Sequence, residues 1–332
     1  MTNKNTKHRV LAGIRATGRL HLGNYLGAVK GMLELQDDPN YETYYMVADV
    51  HTITTPYNVE ELRKNRREVI IDYLAAGLDP EKSVIFQQSE VKEHLELAFY
   101  FSSVNTIARM QHLPTFKEKV KQYPENTTMA LLNYPVLMAA DIMAYKADSV
   151  PVGRDQEPHL EITREVAKKM NARYGTGFPE AHSFKTTGEY VPSLTGVGKM
   201  SKSVEGSFIN LVDGLNTIQQ KIAKIPTDAG QGDCIPSSGG VANLLQFVEL
   251  FQGTKRRREY EEQYTSSGLR YGDIKKELSQ AVYEELKPIQ ARRKELEADT
   301  AYVDKVIREG AEKARKIASV TVEEVREKMG LS

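Results

Sequence analysis

The sequence lacks tryptophan entirely and has a single cysteine, Cys234, among its 332 residues. A lone cysteine excludes a disulfide framework within the chain and any zinc or iron–sulfur site built from several thiolates, so we interpret it as a surface or packing residue. The polar stretch Met1–His8 has no apolar signal core, and no run of about 18 apolar residues is present to span a membrane. These absences predict a soluble, cytoplasmic protein.

An excess of one charge is absent as well. Lysine plus arginine and aspartate plus glutamate each number 45, so the formal net charge is zero. Any contact with nucleic acid would therefore need a local basic patch. The length predicts about two domains and is ample for a sizeable core.

The first motif is the stretch Thr17–Gly27, which lies between a predicted buried strand, Arg9–Ile14, and a predicted helix, Asn24–Gln36. The start of that helix offers free N–H groups and the positive end of the helix dipole to a phosphate, and His21 stands there to donate a hydrogen bond. The spacing matches neither G-x-G-x-x-G nor G-x-x-x-x-G-K-[ST]. The stretch predicts a nucleotide site of another type, with a Gly-rich turn that only permits tight packing as the alternative.

Glycines recur along the same helix at four-residue spacing, so they are expected to share one face. They are Gly23, Gly27 and Gly31. Glycine costs a helix about 1 kcal/mol relative to alanine. A stripe of three therefore indicates that another backbone or a ligand approaches closely.

The second motif is Gly198–Ser203, with the sequence Gly-Lys-Met-Ser-Lys-Ser. Two lysines three residues apart, among small residues and hydroxyl groups, are typical of a mobile cationic loop. Such a loop suits a polyphosphate whose charge grows during a reaction. The plainer interpretation is a solvated basic turn.

Predicted strands alternate with predicted helices around these motifs, which indicates a parallel sheet covered on both faces. The further predicted strands are Thr43–Val50, Ser83–Gln88 and Ser149–Val152, with Ser207–Leu211 as one more candidate. The further predicted helices are Asn58–Gly77, Val91–Thr106, Thr127–Tyr145, Asp155–Tyr174 and Asp213–Lys224. Ligands of such sheets bind beyond the carboxyl ends of the strands, where Thr17–Asn24, Asp49–His51 and Gly153–Gln156 fall. From Val241 onward the periodicity predicts helices alone.

Together, Leu20-His21-Leu22-Gly23-Asn24 and Lys199-Met200-Ser201-Lys202-Ser203 resemble the two signature motifs of class I aminoacyl-tRNA synthetases. Other stretches look like segments of bacterial tryptophanyl-tRNA synthetases: Gln88–Val91, Phe116–Lys119, Tyr134–Ile142, Val152–Gln156, His159–Arg164 and Glu309–Ala314. The resemblance extends over nearly the whole chain.

The resemblance implies an α/β fold with two domains. Residues 1–212 are expected to form a Rossmann-like catalytic domain, a doubly wound parallel sheet with a helical insertion around 91–145. Residues 213–332 are expected to form an all-helical tRNA-anticodon-binding domain. Basic clusters occur in that region at Lys255–Arg258, Arg292–Lys294 and Lys313–Lys316. Each cluster is either a solvated helix face or a tRNA contact, and both interpretations stay open.

The resemblance also implies site residues. Those implied in catalysis are His21, Lys119, Lys199, Ser201 and Lys202, with Lys117 an open alternative to Lys119. Those implied in binding ATP are Arg15, Ala16, Thr17, Gly23, Asn24, Gly153, Arg154, Asp155, Val191, Met200 and Ser203. Those implied in binding tryptophan are His51, Tyr134, Met138, Asp141 and Gln156. The expected ligands are ATP as a substrate, Mg²⁺ bound with its phosphates, L-tryptophan and tRNA(Trp), and the family leads us to expect a homodimer.

The implied reaction needs no nucleophile from the protein, because the substrate carboxylate attacks the α-phosphate of ATP in line. The sequence accordingly has no obvious Ser-His-Asp or Cys-His set. Tyr134, Met138 and Asp141 stand at i, i+4 and i+7 of a predicted helix, so they could line a flat aromatic pocket. Asp141 would then accept the indole N–H. Alternatively, Met138 is a core residue and Asp141 a capping or ion-paired one.

A few positions depart from the usual bacterial pattern and bear on affinity and loop dynamics: Leu11, Arg15-Ala16, Arg154 and Val204. Three rival functions are a tyrosyl-tRNA synthetase, a non-catalytic tRNA-binding paralogue and a small-molecule nucleotidylyltransferase. Asp141 and the segment Gly153–Gln156 favour tryptophan over tyrosine. Intact His21, Lys199 and Lys202 argue against the paralogue, and a nucleotidylyltransferase would not need the helical C-terminal region.

Overall fold

A parallel sheet forms the centre of the protein. The computed structural model describes residues 7–153, 156–184, 186, 190–202 and 204–332. The sheet has five strands in the order β3-β2-β1-β4-β5, and every neighbouring pair is parallel. The strands are β1 (His8–Arg15), β2 (Tyr41–Ala48), β3 (Val84–Gln87), β4 (Ser149–Val150) and β5 (His182–Ser183). This topology confirms the predicted α/β class with a doubly wound parallel sheet.

The two longest strands explain the apolar runs in the sequence. β1 and β2 pair along their whole length, from His8 opposite Tyr41 to Arg15 opposite Ala48. Successive side chains of a strand point to opposite faces of the sheet. Tyr44 and Tyr45 are nevertheless both completely buried. A hydrophobic core therefore covers each face, as parallel sheets require.

Helices form the layers on the two faces. They are α1 (Leu22–Asn24), α2 (Lys30–Asp37), α3 (Val59–Ala75), α4 (Glu93–Ser102), α5 (Ile107–Gln111), α6 (Pro114–Gln122), α7 (Met129–Ala144), α8 (Glu157–Tyr174), α9 (Leu215–Ala223), α10 (Gly240–Tyr264), α11 (Tyr271–Ala298) and α12 (Thr300–Met329). The predicted start of α3 is confirmed, because the Asn58 side chain accepts a hydrogen bond from the Glu61 N–H at 3.0 Å. Pro158 lies in the first turn of α8, where its missing N–H is not needed.

The helix after the first motif differs from the prediction. A π-helical turn, Tyr25–Val29, separates α1 from α2, and such turns interrupt the regular spacing of a helix face. The glycines consequently meet different parts of the chain. An added Cβ would lie 2.9 Å from the His21 ring at Gly23 but 2.4 Å from the Thr186 side chain at Gly31. Both glycines are closely approached, but by side chains and not by another backbone, and they do not form one shared stripe.

Some predicted strands are shorter or absent. In the described part of the chain, Ser207–Leu211 forms only an isolated antiparallel bridge, between Asn210 and His21. Its partner is a turn and not a strand, so no ladder develops. β2 ends before Asp49, because that side chain accepts a hydrogen bond from the Val50 N–H and begins a 3₁₀ turn. The sequence analysis also missed elements that are short: α5, α6 and β5.

The C-terminal helices return to the sheet. α11 packs against α3 and α9, and α12 packs along β3 and α4. At Gly310 the approach is so close that an added Cβ would lie 1.7 Å from the Ile85 carbonyl oxygen. Further along α12, four residues are buried in the core on one face of the sheet: Ala314, Ala318, Val322 and Val325. Helix α12 thereby covers the edge strand β3.

No described helix combines the length and the apolar composition that a membrane-crossing segment needs.

Candidate active site

A cavity of about 310 Å³ opens at the carboxyl ends of β1, β2 and β4. Its lining includes many of the residues implied by the resemblance: Arg15, His51, Lys119, Tyr134, Met138, Asp141 and Gln156. The five residues implied in binding tryptophan thus surround one space. Lys119 is part of this lining and Lys117 is not. Leu11, one of the departures from the bacterial pattern, also faces the cavity.

Asp141 is a buried, ionised carboxylate in the wall of this cavity. Its Oδ1 accepts hydrogen bonds from Gln88 Nε2 at 2.8 Å and from His94 Nδ1 at 2.5 Å. Its Oδ2 accepts one from His51 Nε2 at 2.8 Å. Burial acts to raise the pKa of Asp141, but the hydrogen bonds from His51 and His94 outweigh it and lower the pKa to about 2. A carboxylate offers about four acceptor positions, so Oδ2 retains one for a ligand.

His94 and Gln88 hold Asp141 from the side of the core. The His94 Nε2 lies 2.7 Å from the Tyr145 hydroxyl. Because His94 Nδ1 donates to Asp141, Nε2 accepts from that hydroxyl. Gln88 accepts from the His51 N–H at 3.2 Å while it donates to Asp141. Sequence analysis missed both roles: Gln88 stood in a stretch similar to the family, whereas nothing in the sequence marked His94.

Tyr134 and Gln156 are joined by His159, a further residue that the sequence analysis did not assign. The Tyr134 hydroxyl lies 2.7 Å from His159 Nε2, and the Gln156 Oε1 lies 3.0 Å from His159 Nδ1. An amide oxygen can only accept, so Nδ1 carries the proton and Nε2 accepts from the Tyr134 hydroxyl. This arrangement keeps the phenol oxygen as an acceptor, the property that an ammonium ligand needs.

His21 caps the start of α1. Its Nδ1 accepts from the Asn24 N–H at 3.3 Å, and the Asn24 Oδ1 accepts from the His21 N–H at 3.2 Å, which is a capping box. Because Nδ1 accepts, the proton of the neutral ring is on Nε2. Burial, and then the charges of Lys202 and Lys199, lower the pKa of His21 to about 4. The ring is therefore neutral near pH 7 and can donate through Nε2.

The lysine loop meets this turn. A Cβ added to Gly18 would stand 3.1 Å from the Lys202 Nζ, and one added to Gly23 would stand 3.2 Å from the Met200 Cβ. Burial lowers the pKa of Lys202 to about 8. The Met200 N–H donates to the Val191 carbonyl at 3.0 Å, which anchors the loop on a buried residue. The two motifs thus form one cationic site.

Two further cations, Arg15 and Lys119, face the cavity. Arg15 donates to the Thr55 Oγ1 at 2.9 Å, yet its Nε is buried without a hydrogen-bond partner among the described residues. Burial, and then the charge of Arg15, lower the pKa of Lys119. A buried donor without a partner and two neighbouring cations favour an anionic ligand beside them.

Two of the remaining residues implied in binding ATP, Thr17 and Gly153, form local backbone hydrogen bonds. The Thr17 N–H donates to the Arg15 carbonyl at 2.9 Å, which forms a tight turn beside the buried Ala16. The Gly153 carbonyl accepts from the Gln156 N–H at 3.0 Å. Outside the described residues lie three residues implied in binding ATP: Arg154, Asp155 and Ser203.

The fold and the site together define a class of enzyme. A family model described as tRNA synthetases class I (W and Y) matches residues 2–287. A parallel sheet with a histidine turn and a lysine loop meeting at its carboxyl edge is the arrangement expected from the motifs of this class. The chain belongs to the class I tRNA synthetases for tryptophan (W) and tyrosine (Y).

Relatives narrow the family further. The tryptophan–tRNA ligase of Porphyromonas gingivalis is 41% identical over 97% of this chain and 98% of that protein. The tryptophan–tRNA ligase of Thermotoga maritima is 40% identical over 97% and 99%. Among solved structures, tryptophanyl-tRNA synthetase from Campylobacter jejuni complexed with ADP and tryptophan superposes with a TM-score of 0.84 at 33% identity, covering 97% of this chain and 100% of that one. Within its class, the chain belongs to the tryptophan–tRNA ligase family.

Proposed function

We propose that the protein activates L-tryptophan with ATP, forming tryptophanyl-adenylate and pyrophosphate, and then transfers the tryptophanyl group to tRNA(Trp). The observation that carries this proposal is Asp141, a buried, ionised carboxylate that faces the cavity with an acceptor position left. The indole N–H is the only polar group of the tryptophan ring. Leaving a buried carboxylate without its donor is costly. The Campylobacter jejuni relative, crystallised with ADP and tryptophan, supports an adenine nucleotide and tryptophan as ligands of this site.

In the proposed reaction the tryptophan carboxylate attacks the α-phosphate of ATP in line. An O–P bond forms, and the bond from the α-phosphorus to the oxygen bridging the β-phosphorus breaks as pyrophosphate leaves. We assign the α-ammonium group to Tyr134 and Gln156, which His159 holds in place. We assign the charge of the carboxylate and the α-phosphate to Arg15 and Lys119, which face the same cavity.

We assign the other phosphates of ATP to the two motifs. His21 is a neutral donor, an assignment supported by its pKa of about 4. Lys199 and Lys202 add positive charge that would stabilise the leaving pyrophosphate. The remaining implied contacts with ATP are part of the same proposal: Ala16, Thr17, Gly23, Asn24, Gly153, Arg154, Asp155, Val191, Met200, Ser201 and Ser203.

We propose that Mg²⁺ accompanies the phosphates. Within the described ranges, no group of three or more His, Cys, Asp or Glu side chains could hold a metal ion. Mg²⁺ is commonly bound through substrate phosphates and water, with few protein carboxylates. When bound, it would neutralise charge on the β- and γ-phosphates.

The proposed partner of the helical region, residues 213–332, is tRNA. Several cations there are exposed and have no carboxylate partner among the described residues: Lys255, Arg258, Lys294 and Lys316. Arg293 belongs to one of the predicted basic clusters but is not an exposed cation, because it is buried and paired with Asp72 and Glu68. We propose that the protein carries out this activity in the cytoplasm, where ATP and tRNA are both present.

The proposed assembly is a homodimer. Helix α4 exposes Leu95 and Phe99 one turn apart, with 51% and 76% of their surface accessible. Ile107 and Met129, from nearby helices of the predicted insertion, are 61% and 70% accessible. Exposed apolar residues grouped in one part of a chain are typical of an interface between proteins.

Amino-acid-dependent exchange between ATP and pyrophosphate tests the proposed function. Tryptophan should drive exchange with a kcat/KM about 10⁴-fold above that for phenylalanine, because a site built around a polar group rejects the analogue that lacks it. Tyrosine should be rejected as well. Exchange driven by tyrosine but not tryptophan would identify a tyrosyl-tRNA synthetase instead. Binding of tRNA without any exchange would identify a non-catalytic paralogue.

A further inference from the structure

A closed ring of hydrogen bonds joins helix α11 to the chain on either side of the ATP site. Gln290 Nε2 donates to the Leu211 carbonyl at 2.8 Å. The Leu211 N–H donates to the Leu20 carbonyl at 3.1 Å. The Leu20 N–H donates to Asp72 Oδ2 at 2.7 Å. The ring closes where Asp72 Oδ1 accepts from the guanidinium of Arg293, which lies one turn beyond Gln290 on α11.

The charged members of this ring are buried. Asp72 is 0% exposed and Arg293 is 3% exposed. The desolvation of a buried ion pair commonly offsets its attraction, so well-packed apolar side chains would serve stability equally well. We therefore assign this buried ion pair a role in fixing geometry. In this structure Asp72 fixes the position of the Leu20 backbone, because it accepts the hydrogen bond from the Leu20 N–H.

A second contact, through Glu68, helps to hold the same turn against α3. Arg293 also donates to Glu68, which lies one helical turn before Asp72 on α3. Glu68 in turn accepts from Arg19 Nε at 2.9 Å. Two consecutive residues, Arg19 and Leu20, are therefore held by α3, and α3 is held by Arg293.

The ring lies next to both ATP motifs. Leu20 directly precedes His21, the proposed hydrogen-bond donor to the phosphates of ATP. Leu211 belongs to the segment that follows the lysine loop, and this segment also accepts from the Leu22 N–H through the Ile209 carbonyl at 2.8 Å. The ring therefore sets where the histidine turn stands relative to the exit of the lysine loop. No member of the ring lines the cavity assigned to tryptophan.

We propose that Arg293 and Gln290 are positioning residues for the ATP site, acting through Asp72 and Leu211 on the histidine turn and the lysine loop. This inference rests on the proposed function, since it concerns the use of ATP. Neither residue lines the cavity. Their loss is therefore expected to impair ATP use while leaving tryptophan binding intact.

The test compares Gln290→Ala with Gln280→Ala on the full-length protein. Gln280 is an exposed residue of the same helix, and the one hydrogen bond of its side chain among the described residues is to Glu284 at 2.7 Å, within the helix. Steady-state exchange at saturating tryptophan gives KM for ATP and kcat. The chain contains no tryptophan, so the change in fluorescence of the ligand, excited selectively over tyrosine, reports its binding without a background from protein tryptophan.

Gln290→Ala removes the hydrogen bond to Leu211 and a second one to the Asp213 carbonyl at 2.9 Å. It is expected to raise KM for ATP and lower kcat/KM by about five- to hundredfold, the value of two lost hydrogen bonds. The Kd for tryptophan should stay within about twofold of wild type, and Gln280→Ala should leave all parameters unchanged. Arg293→Lys keeps the charge but loses the forked geometry, so it should act in the same direction. Asp72→Asn combined with Arg293→Lys should cost less than the sum of the two, because both act through one contact.

Equal losses in ATP use and tryptophan binding, or no change in either with Gln290→Ala, would overturn the inference. Thermal unfolding identifies any variant that fails to fold. Gln290→Ala removes no charge, so it is the variant expected to fold and the one on which the test rests. Failure of the proposed function is distinguishable, because it would be seen in the wild-type protein as an absence of tryptophan-driven exchange.

Discussion

At the scale of single residues, burial decides which charges the site carries. Asp141 is enclosed and still ionised because His51 and His94 donate to it. His21 is neutral for the opposite reason, since burial and two neighbouring lysines disfavour its cation. Each group thus has the protonation state that its proposed ligand needs.

The first prediction concerns Asp141→Asn, which keeps the shape of the side chain and removes its charge. A hydrogen bond to a charged group is worth about 1.5–3 kcal/mol. The ratio of kcat/KM for tryptophan to that for phenylalanine should therefore fall about ten- to hundredfold in the exchange assay. Thermal unfolding serves as the control for the fold. A ratio that does not change would contradict the role given to Asp141.

The second prediction concerns Lys202→Ala. The contact of Lys202 with the leaving pyrophosphate should strengthen in the transition state, so its loss slows the chemical step more than it weakens binding. Single-turnover formation of the adenylate is expected to slow about 10²- to 10³-fold. Tryptophan binding, followed by ligand fluorescence, should change by less than about threefold. Equal losses in the two quantities would argue for a general structural role.

The third prediction follows from the lowered pKa of Lys202, about 8. The ammonium is charged below this pH and loses its proton above it, so kcat/KM for ATP should fall as the pH rises through about 8. His21, with a pKa of about 4, stays neutral throughout that range. Lys202→Arg retains its charge to far higher pH and should remove the decline. Lys224→Arg, at an exposed lysine after α9, is the matched control, and persistence of the decline in Lys202→Arg would assign it to another group.

At the scale of elements, the contact between α12 and β3 is set by one glycine. A helix interior ordinarily gains about 1 kcal/mol when glycine becomes alanine. At Gly310 the new Cβ would lie 1.7 Å from the Ile85 carbonyl oxygen, a backbone atom that cannot rotate away. Helix α12 would have to move off the strand.

The fourth prediction is that Gly310→Ala destabilises the fold by about 2 kcal/mol or more, as overpacking does. Gly272→Ala is the matched control. Gly272 lies in α11, and no atom lies within 4 Å of a Cβ added there. The control should be neutral or slightly stabilising. Chemical denaturation measures both variants, and similar free energies of unfolding for the two would disprove the tight contact.

At the scale of the whole molecule, the C-terminal helices and the sheet share their cores. Val303 and Val306 of α12 belong to the core on one face of the sheet, whereas Ala318 and Val322 of the same helix belong to the core on the other. One helix therefore packs into both cores, and each core is close-packed.

The fifth prediction concerns the proposed homodimer. A charge at the centre of an apolar interface costs several kcal/mol, so Phe99→Asp should shift the protein towards monomers in sedimentation equilibrium. Val320→Asp, at a residue of α12 that is also well exposed, should leave the assembly as in wild type. A wild-type protein that is monomeric at micromolar concentration would contradict the proposal.

Much of this arrangement could be predicted from the sequence. The alternation of apolar strands and capped helices predicted the parallel sheet, and the rule that ligands lie at carboxyl ends predicted where the motifs meet. The sequence analysis missed the short elements, because β5 and α5 have too few residues to show a periodic pattern of apolar side chains. Ser207–Leu211 looked like a strand because its composition is that of one, although it faces a turn.

By itself the sequence determined the class of fold, the two signature motifs and the helix that carries Asp141, because these depend on local spacing and on the chemistry of adjacent residues. Only the tertiary structure decided which partners keep Asp141 ionised, that Arg293 points inward to Asp72, and that α12 returns to β3. These contacts join residues far apart in the chain. Their geometry arises from packing, which no local pattern specifies.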